Sequence, residues 1–342
     1  MSGNHLIPIE ESEISIQKEV LSITRIEDDY LSIDVQYEFF NPGEEKELLV
    51  GFEAMSPGGD VNAAPVLGGH AFMSDFMVEL NGAKRSFDIA IVDQKEYFKN
   101  KVFDSLRLSE VMKRDNSDQV DFYYVYYFNA KFNKGLNKIH HTYRYKMSSS
   151  VMFLYDFEYI LTAANRWANK GIDDFTLKID MGPFADFGMA TSFFTYEHEW
   201  SIKGAGKTRY EARDSNTYIP SGVNFWIRDG KIEFKKKNFK PAGELFLWSS
   251  YPNWMWADYQ DNLDFIPLPF SIENEQFINP PTNAQDSSYL RNLPFARRGY
   301  VFKSQKLQTY FEGMEWYWPD PNYTAKLESL TLVEQAWVLR WK

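Results

Sequence analysis

Between residues 31 and 40 the chain reads LSIDVQYEFF, with Leu31, Ile33, Val35, Tyr37 and Phe39 alternating against Ser32, Asp34, Gln36 and Glu38. A period of two cannot present one apolar face on a helix; it predicts an antiparallel strand buried on one side. The pattern recurs. Ile14 and Ile16 alternate with Ser15 and Gln17, and Val20 and Leu21 extend that segment. Asn41-Pro42-Gly43-Glu44 reads as a turn into a return strand, Leu48 to Phe52. Asn81-Gly82, between Phe76–Leu80 and Arg85–Val92, supplies the two positive-φ positions of a type I′ hairpin, and Asp229-Gly230 marks a second between Val223–Arg228 and Lys231–Lys237. DFYYVYYFNAKF, 121–132, has aromatics on both faces and predicts a strand buried on both sides.

Lys134-Gly135 turns into a further strand, Lys138–Lys146, and beyond residue 155 more candidates follow at Glu158–Thr162, Phe175–Met181, Thr191–Lys203, Thr208–Ala212 and Leu245–Ser249. Many short strands punctuated by turns predict a mainly β chain of antiparallel, sandwich-like regions. Residues 97–116 interrupt the pattern and allow one or two short helices. Residues 56–70 read as a loop, and 266–284, with four prolines, as a linker. At 342 residues the chain suits two or three domains, and the expected division is a β region at 5–150, a second at 151–275 and a helical module at 285–342. Aromatics make up 17% of the sequence, and a large β core needs them before any ligand does.

The net charge of −11 argues against nucleic acid as a main partner and against a polybasic membrane anchor, since both need clustered Lys and Arg. No run approaches 18 apolar residues, so a helical span integral to a membrane is not expected. With no cysteine there is no disulfide, no thiolate metal site and no cysteine nucleophile. The start, MSGNHLIPIEES, has neither a basic n-region nor an apolar h-region, which fits a cytosolic protein or an exported one whose signal has been removed.

Beyond 285 the apolar period becomes helical. Ser287 or Ser288 is expected to cap a turn carrying Leu290 and Leu293, closed by Gly299 in the left-handed conformation. Ser304 caps a second helix with Leu307, Tyr310 and Phe311, stopped by Gly313. Thr331-Leu332-Val333-Glu334 fits a capping box opening a last helix with Ala336, Trp337, Leu339 and Trp341. Pro294 is expected to kink or restart the first of these helices.

This part resembles the YARHG domain, a small module of bacterial exported proteins. The resemblance rests on Leu290-Arg291-Asn292, Phe295-Ala296-Arg297-Arg298-Gly299, Phe302, Leu307, Tyr310-Phe311, Trp316-Tyr317, Pro319 and Glu334. Phe295 stands where the motif has tyrosine and Arg298 where it has histidine, which removes a hydroxyl and a titratable imidazole. More loosely, the preceding residues resemble a family of uncharacterised, largely β exported bacterial proteins, through YILTAANRWANKGIDDFTLKIDMG (159–182), HHTYRY (140–145) and NFKPAGELFLW (238–248). Both resemblances imply a periplasmic or cell-surface address.

Among the five histidines none has metal-ligand spacing; adjacent His140 and His141 point to opposite faces of a strand, and one of them is expected in the core. In Glu197-His198-Glu199 the glutamates would share a strand face opposite the histidine and serve as solvated or cross-strand charges. Asp258, Asp261 and Asp264 are spaced to share one face of a helical turn, but lack the glycine and terminal glutamate of an EF-hand, so a solvated loop is preferred to calcium and no metal or cofactor is assigned. The candidate ligand surface is WSSYPNWMWADY, where Trp248, Tyr251, Trp254 and Trp256 adjoin Asp258 and Asp261: rings stack on sugar C–H faces while carboxylates accept hydroxyls. Packing between domains is the bland alternative for this segment.

Arg297 and Arg298, with Trp316, complete the candidate ligand residues. The two guanidiniums are not expected to face inward together; one is expected to pair with Glu312 or Glu315 or stack on Trp316 or Tyr317, and a structural role outweighs a ligand role. From residue 285 the chain carries 8 basic and 6 acidic residues, net +2, against −13 for the rest. The function this implies is a non-enzymatic envelope protein recognising a cell-wall, glycan or envelope-protein ligand. The alternatives are a carboxylate-dependent glycan- or peptide-active hydrolase and a structural scaffold; no GxSxG signature supports nucleophilic hydrolysis.

Overall fold

The 31–40 alternation becomes a strand of twelve residues, Tyr30–Asn41, whose inward side chains Leu31, Ile33, Val35 and Phe39 are fully buried. The computed structural model describes residues 4–9, 13–27, 29–57, 65–66, 68–93, 97–99, 102–111, 122–212, 219–251, 268–272, 281 and 283–342. In chain order the strands are β1 (Asn4–Pro8), β2 (Ser15–Glu27), β3 (Tyr30–Asn41), β4 (Lys46–Met55), β5 (Met73–Leu80), β6 (Ala83–Lys84), β7 (Asp88–Val92), β8 (Phe98–Lys99) and β9 (Val102–Phe103). After the short helix α1 (Leu108–Val111) come β10 (Tyr123–Phe132), β11 (Gly135–Lys146), β12 (Phe153–Tyr159), β13 (Ile172–Asp180), β14 (Ala185–Ala190), β15 (Trp200–Glu211), β16 (Gly222–Phe239) and β17 (Leu245–Ser250). Helices α2 (Ala284–Ala296), α3 (Gln305–Glu312) and α4 (Leu332–Arg340) follow. The protein is therefore mainly β with a small helical C-terminal module.

One sheet has the order β1-β4-β10-β7, and a larger one runs β12-β17-β14-β16-β13-β2-β3-β11-β5-β6 with β15 added along β16. They share a core: Phe52 of the first packs against His141 and Tyr143 of the second, at ring separations of 5.1 and 5.2 Å. Tyr124, Val125 and Tyr126 are buried in succession, so β10 is covered on both faces as its aromatic run predicts. β13 pairs in parallel with β2, from Ile172 opposite Ile16 to Asp180 opposite Thr24, so strands from both sides of residue 150 belong to one sheet. No helix among the described residues is long and apolar enough to cross a membrane.

Asn81 and Gly82 both have positive φ, as the type I′ reading requires. Asp229-Gly230 does not turn the chain: it lies inside the 18-residue β16, opposite Ala205 and Gly204 of β15, next to a register shift at Gly206. Gly230 has φ +87°, and a Cβ there would lie 2.0 Å from the Lys203 carbonyl oxygen, so the dipeptide marks a bend where two long strands touch. Most of the loop expected at 56–70 and of the linker expected at 266–284 falls outside the described residues.

In the helical module α2 is capped by Asn283, whose side chain accepts from the backbone N–H of Gln285 and Asp286, rather than by Ser287 or Ser288. Ser304 caps α3, Thr331 and Glu334 form the capping box of α4, and Gly299 takes φ +84° after α2. Pro294 stays inside α2. Its missing N–H leaves the Leu290 carbonyl unserved, and the Trp337 indole of α4 donates to that oxygen at 2.7 Å.

Candidate functional site

The left-handed Gly299 ends α2 so that the two preceding arginines lie against α4. Arg297 Nη2 donates to Glu334 Oε1 at 2.6 Å, while Arg298 grips the same carboxylate with both terminal nitrogens, at 2.5 and 2.8 Å. Thr331 adds its backbone N–H and hydroxyl to Oε2, so Glu334 accepts five hydrogen bonds. Glu334 is 1% exposed and Arg297 4%. Burial alone would raise the carboxyl; the Arg298 hydrogen bonds and the Arg297 charge outweigh it and hold Glu334 down at about 2. Both arginines thus face inward, on Glu334 rather than Glu312 or Glu315, because one carboxylate has lone pairs enough for two guanidiniums.

The large sheet meets this cluster directly. The ring of Phe184, just before β14, lies 3.9 Å from the Arg297 guanidinium carbon and 4.5 Å from that of Arg298. Arg228 of β16 donates from Nε to the Arg297 carbonyl at 3.2 Å, covers the Trp318 ring at 4.4 Å and sits 3.8 Å from Asp320. Three guanidiniums, Arg228, Arg297 and Arg298, therefore face two carboxylates, Glu334 and Asp320. Trp226 of β16 enters the apolar core of the module with Leu268 and Phe270. Trp316, one of the sequence candidates, is buried in that core and donates to the Leu268 carbonyl at 2.7 Å.

Trp248 lies apart from the arginines, on the same large sheet. It is 3% exposed, opposite Asp156 of β12 on one side and Gly188 of β14 on the other. A Cβ at Gly188 or Gly222 would come within 2.5 or 2.6 Å of its ring, so the indole covers two glycines instead of standing free as a platform. Asp186, two residues before Gly188, has its carboxyl pushed up to about 7 by burial, against a hydrogen bond from Trp226 and with Glu315 adding to the rise. Tyr251 is half-buried at the end of β17. Trp254, Trp256, Asp258, Asp261 and Asp264 lie outside the described residues, so the calcium question falls there too. Among the described residues no group of three His, Asp or Glu side chains is placed to hold a metal ion.

His141 is the core member of its pair, boxed by Tyr37, Phe52 and Tyr143, and burial followed by the nearby His140 lowers it to about 3. His140 meets Asp34 at 2.9 Å on the other face. Glu197-His198-Glu199 forms a single 3-10 turn, not strand, and Glu199 reaches Lys236 at 2.8 Å. Phe184, Trp226 and Arg228 were invisible as site residues because only the folded sheet brings them within reach of residues about 40–110 positions later.

Residues 281–341 match the YARHG domain. The match covers α2, the left-handed Gly299 and the arginine–glutamate cluster. Over the whole chain the fold is similar to a crystal structure of a candidate nutrient binding protein from Legionella pneumophila, with TM-score 0.50 and 16% identity, covering 100% of this chain and 98% of the other. That similarity is one of fold. An M1 zinc metallopeptidase from Deinococcus radiodurans aligns with TM-score 0.27 and 10% identity over 69% of this chain and 43% of its own. Baculovirus P35 aligns with TM-score 0.29 and 12% identity over 72% and 99%. At such scores neither bears on function. No curated protein matches the sequence.

Proposed function

We propose that the chain is a non-enzymatic binding protein of the bacterial cell envelope, periplasmic or at the cell surface, that recognises a cell-wall polymer, a glycan or another envelope protein. The observation that carries this reading is the end-to-end likeness in fold to a protein described as a candidate nutrient binder, in a chain that closes with a YARHG domain. In this reading Arg297 and Arg298 act from behind, fixing the module on the sheet through Glu334 and Phe184, with Trp316 in its core. The ligand in this reading is met by Tyr251 together with Trp254, Trp256, Asp258 and Asp261, while Trp248, buried over two glycines, supports the sheet from within. The module from 285 is a unit of its own in this proposal, whereas the boundary expected at residue 150 runs through a sheet that strands from both sides share.

The test uses the full chain titrated with soluble muropeptides and oligosaccharides, followed by tryptophan fluorescence and by chromatography of the ligand. Saturable binding that weakens in Tyr251→Ala, with the ligand recovered intact, supports the reading. Recovery of cleaved ligand would replace it with a hydrolase.

A further inference from the structure

Beneath the 3-10 turn Thr162–Arg166 the core contains a small polar cavity. Glu19, Tyr37 and Tyr159 bring oxygens to it, Leu6, Ile16 and Leu161 are among its apolar walls, and its lining includes no Lys, Arg or His. Its volume, about 10 Å³, admits the centre of one water-sized group. Ile160, half-buried, is the least enclosed side of the lining.

Glu19 arrives there through a bulge. The β2–β3 register shifts between Ile16 and Lys18, so Glu19 turns inward opposite Tyr37 on β3 and Phe175 on β13. It is 3% exposed, and no hydrogen bond or ion pair serves its carboxyl among the described residues. The Tyr37 and Tyr159 hydroxyls are 3.4 Å apart beside it. A buried carboxyl with two phenols, no donor of its own and no positive charge nearby is a site short of a cation or a proton.

We propose that this cavity binds one ammonium-sized cation, either the ammonium ion or the head of a primary amine. An ammonium group carries three or four N–H donors on a body of water size, and the cavity offers oxygens from three side chains, one of them able to carry the balancing charge. The cavity holds the head alone, and the chain of an alkylamine would leave on the Ile160 side. Entry of the cation displaces the carboxyl proton to solvent, so one positive charge replaces another. Burial pushes Glu19 up to about 8, which places that proton exchange in the neutral range. The site is independent of the module and of the envelope reading.

The experiment compares the thermal midpoint of the full chain in ammonium, methylammonium and longer alkylammonium chlorides with tetramethylammonium chloride at matched ionic strength, from pH 6 to 9. Tetramethylammonium has no N–H donor and exceeds the cavity. The expected result is a midpoint raised by ammonium and not by tetramethylammonium, with apparent affinity growing about tenfold per pH unit and levelling near pH 8, because cation and proton compete for one carboxylate. A response confined to ammonium assigns the free ion; one that persists along the alkyl series assigns an amine head. Glu19→Gln is expected to abolish it. Should that variant not fold, Tyr159→Phe removes one acceptor and is expected to weaken the response about tenfold. Equal midpoints in ammonium and tetramethylammonium at every pH, or an undiminished response in either variant, would overturn the proposal and leave the cavity to a protonated carboxyl and water.

Discussion

Glu334→Gln removes the charge at the centre of the module while keeping its shape. In the native protein the carboxylate accepts five hydrogen bonds, three of them from two guanidiniums, at 1% exposure. An amide in its place turns an N–H₂ towards those donors and leaves two guanidiniums buried against a neutral group. Removing one partner of such a cluster costs about 3–5 kcal/mol. The acidity of Glu334 gives a consistent figure. Held at about 2 against an ordinary 4.5, it contributes about 3 kcal/mol that is fully present above pH 4.5 and lost as the pH falls towards 2. The assay is urea unfolding of the full chain, read by tryptophan fluorescence and by proteolysis of the C-terminal module. With a slope of about 1–2 kcal/mol per molar urea, the module's midpoint is expected to fall by about 1.5 M or more. Substituting Arg297→Met, Arg298→Leu and Glu334→Leu together is expected to recover most of the loss, since apolar groups carry no desolvation debt. A loss below about 1 kcal/mol in Glu334→Gln would refute the view that this cluster holds the module together.

Three further outcomes follow from the fold. In buffers free of small amines, stability falls as pH rises from 4.5 to about 8, by about 5 kcal/mol, because folded Glu19 keeps a proton that the unfolded chain releases; Glu19→Gln is expected to flatten that slope in denaturation curves taken across the range. Trp337→Phe leaves the Leu290 carbonyl beneath Pro294 without its donor, at a cost of about 1–3 kcal/mol in the same urea assay. Gly230→Ala forces a side chain into the Lys203 carbonyl at φ +87°, and calorimetry is expected to show a loss of about 2 kcal/mol or more.

Local signals carried well from sequence to structure. The alternation of β3, the Asn81-Gly82 turn, the Ser304 cap, the Thr331–Glu334 capping box and the left-handed Gly299 each involve residues within a few positions of one another, where backbone chemistry decides. Asp229-Gly230 misled because its composition matches a turn, while β15 alongside supplies enough partners to keep the strand running through it. Arg297 and Arg298 found Glu334 instead of the nearer glutamates because helix packing places α4 against α2. Glu334 serves its capping box and both arginines, since one carboxylate can carry both tasks. Glu19 was hidden by its polar neighbours. Its one trace in the sequence is a change of phase, from buried Ile14 and Ile16 on even positions to Leu21 and Ile23 on odd ones, which is what a bulge between them produces. Of the candidate ligand surface only Trp248 and Tyr251 fall among the described residues, and the burial of Trp248 over two glycines depends on strands that are neighbours only in the sheet.

The most direct measurement of the binding reading is co-sedimentation of the full chain with purified peptidoglycan sacculi and a panel of insoluble glycans at physiological salt, beside a Tyr251→Ala variant. Retention of the native chain on at least one polymer, reduced in the variant and without release of soluble fragments, is the result predicted for a glycan or wall ligand. No retention on any of them would contradict that claim and leave an envelope protein as the ligand to seek, while release of fragments would contradict a non-enzymatic role.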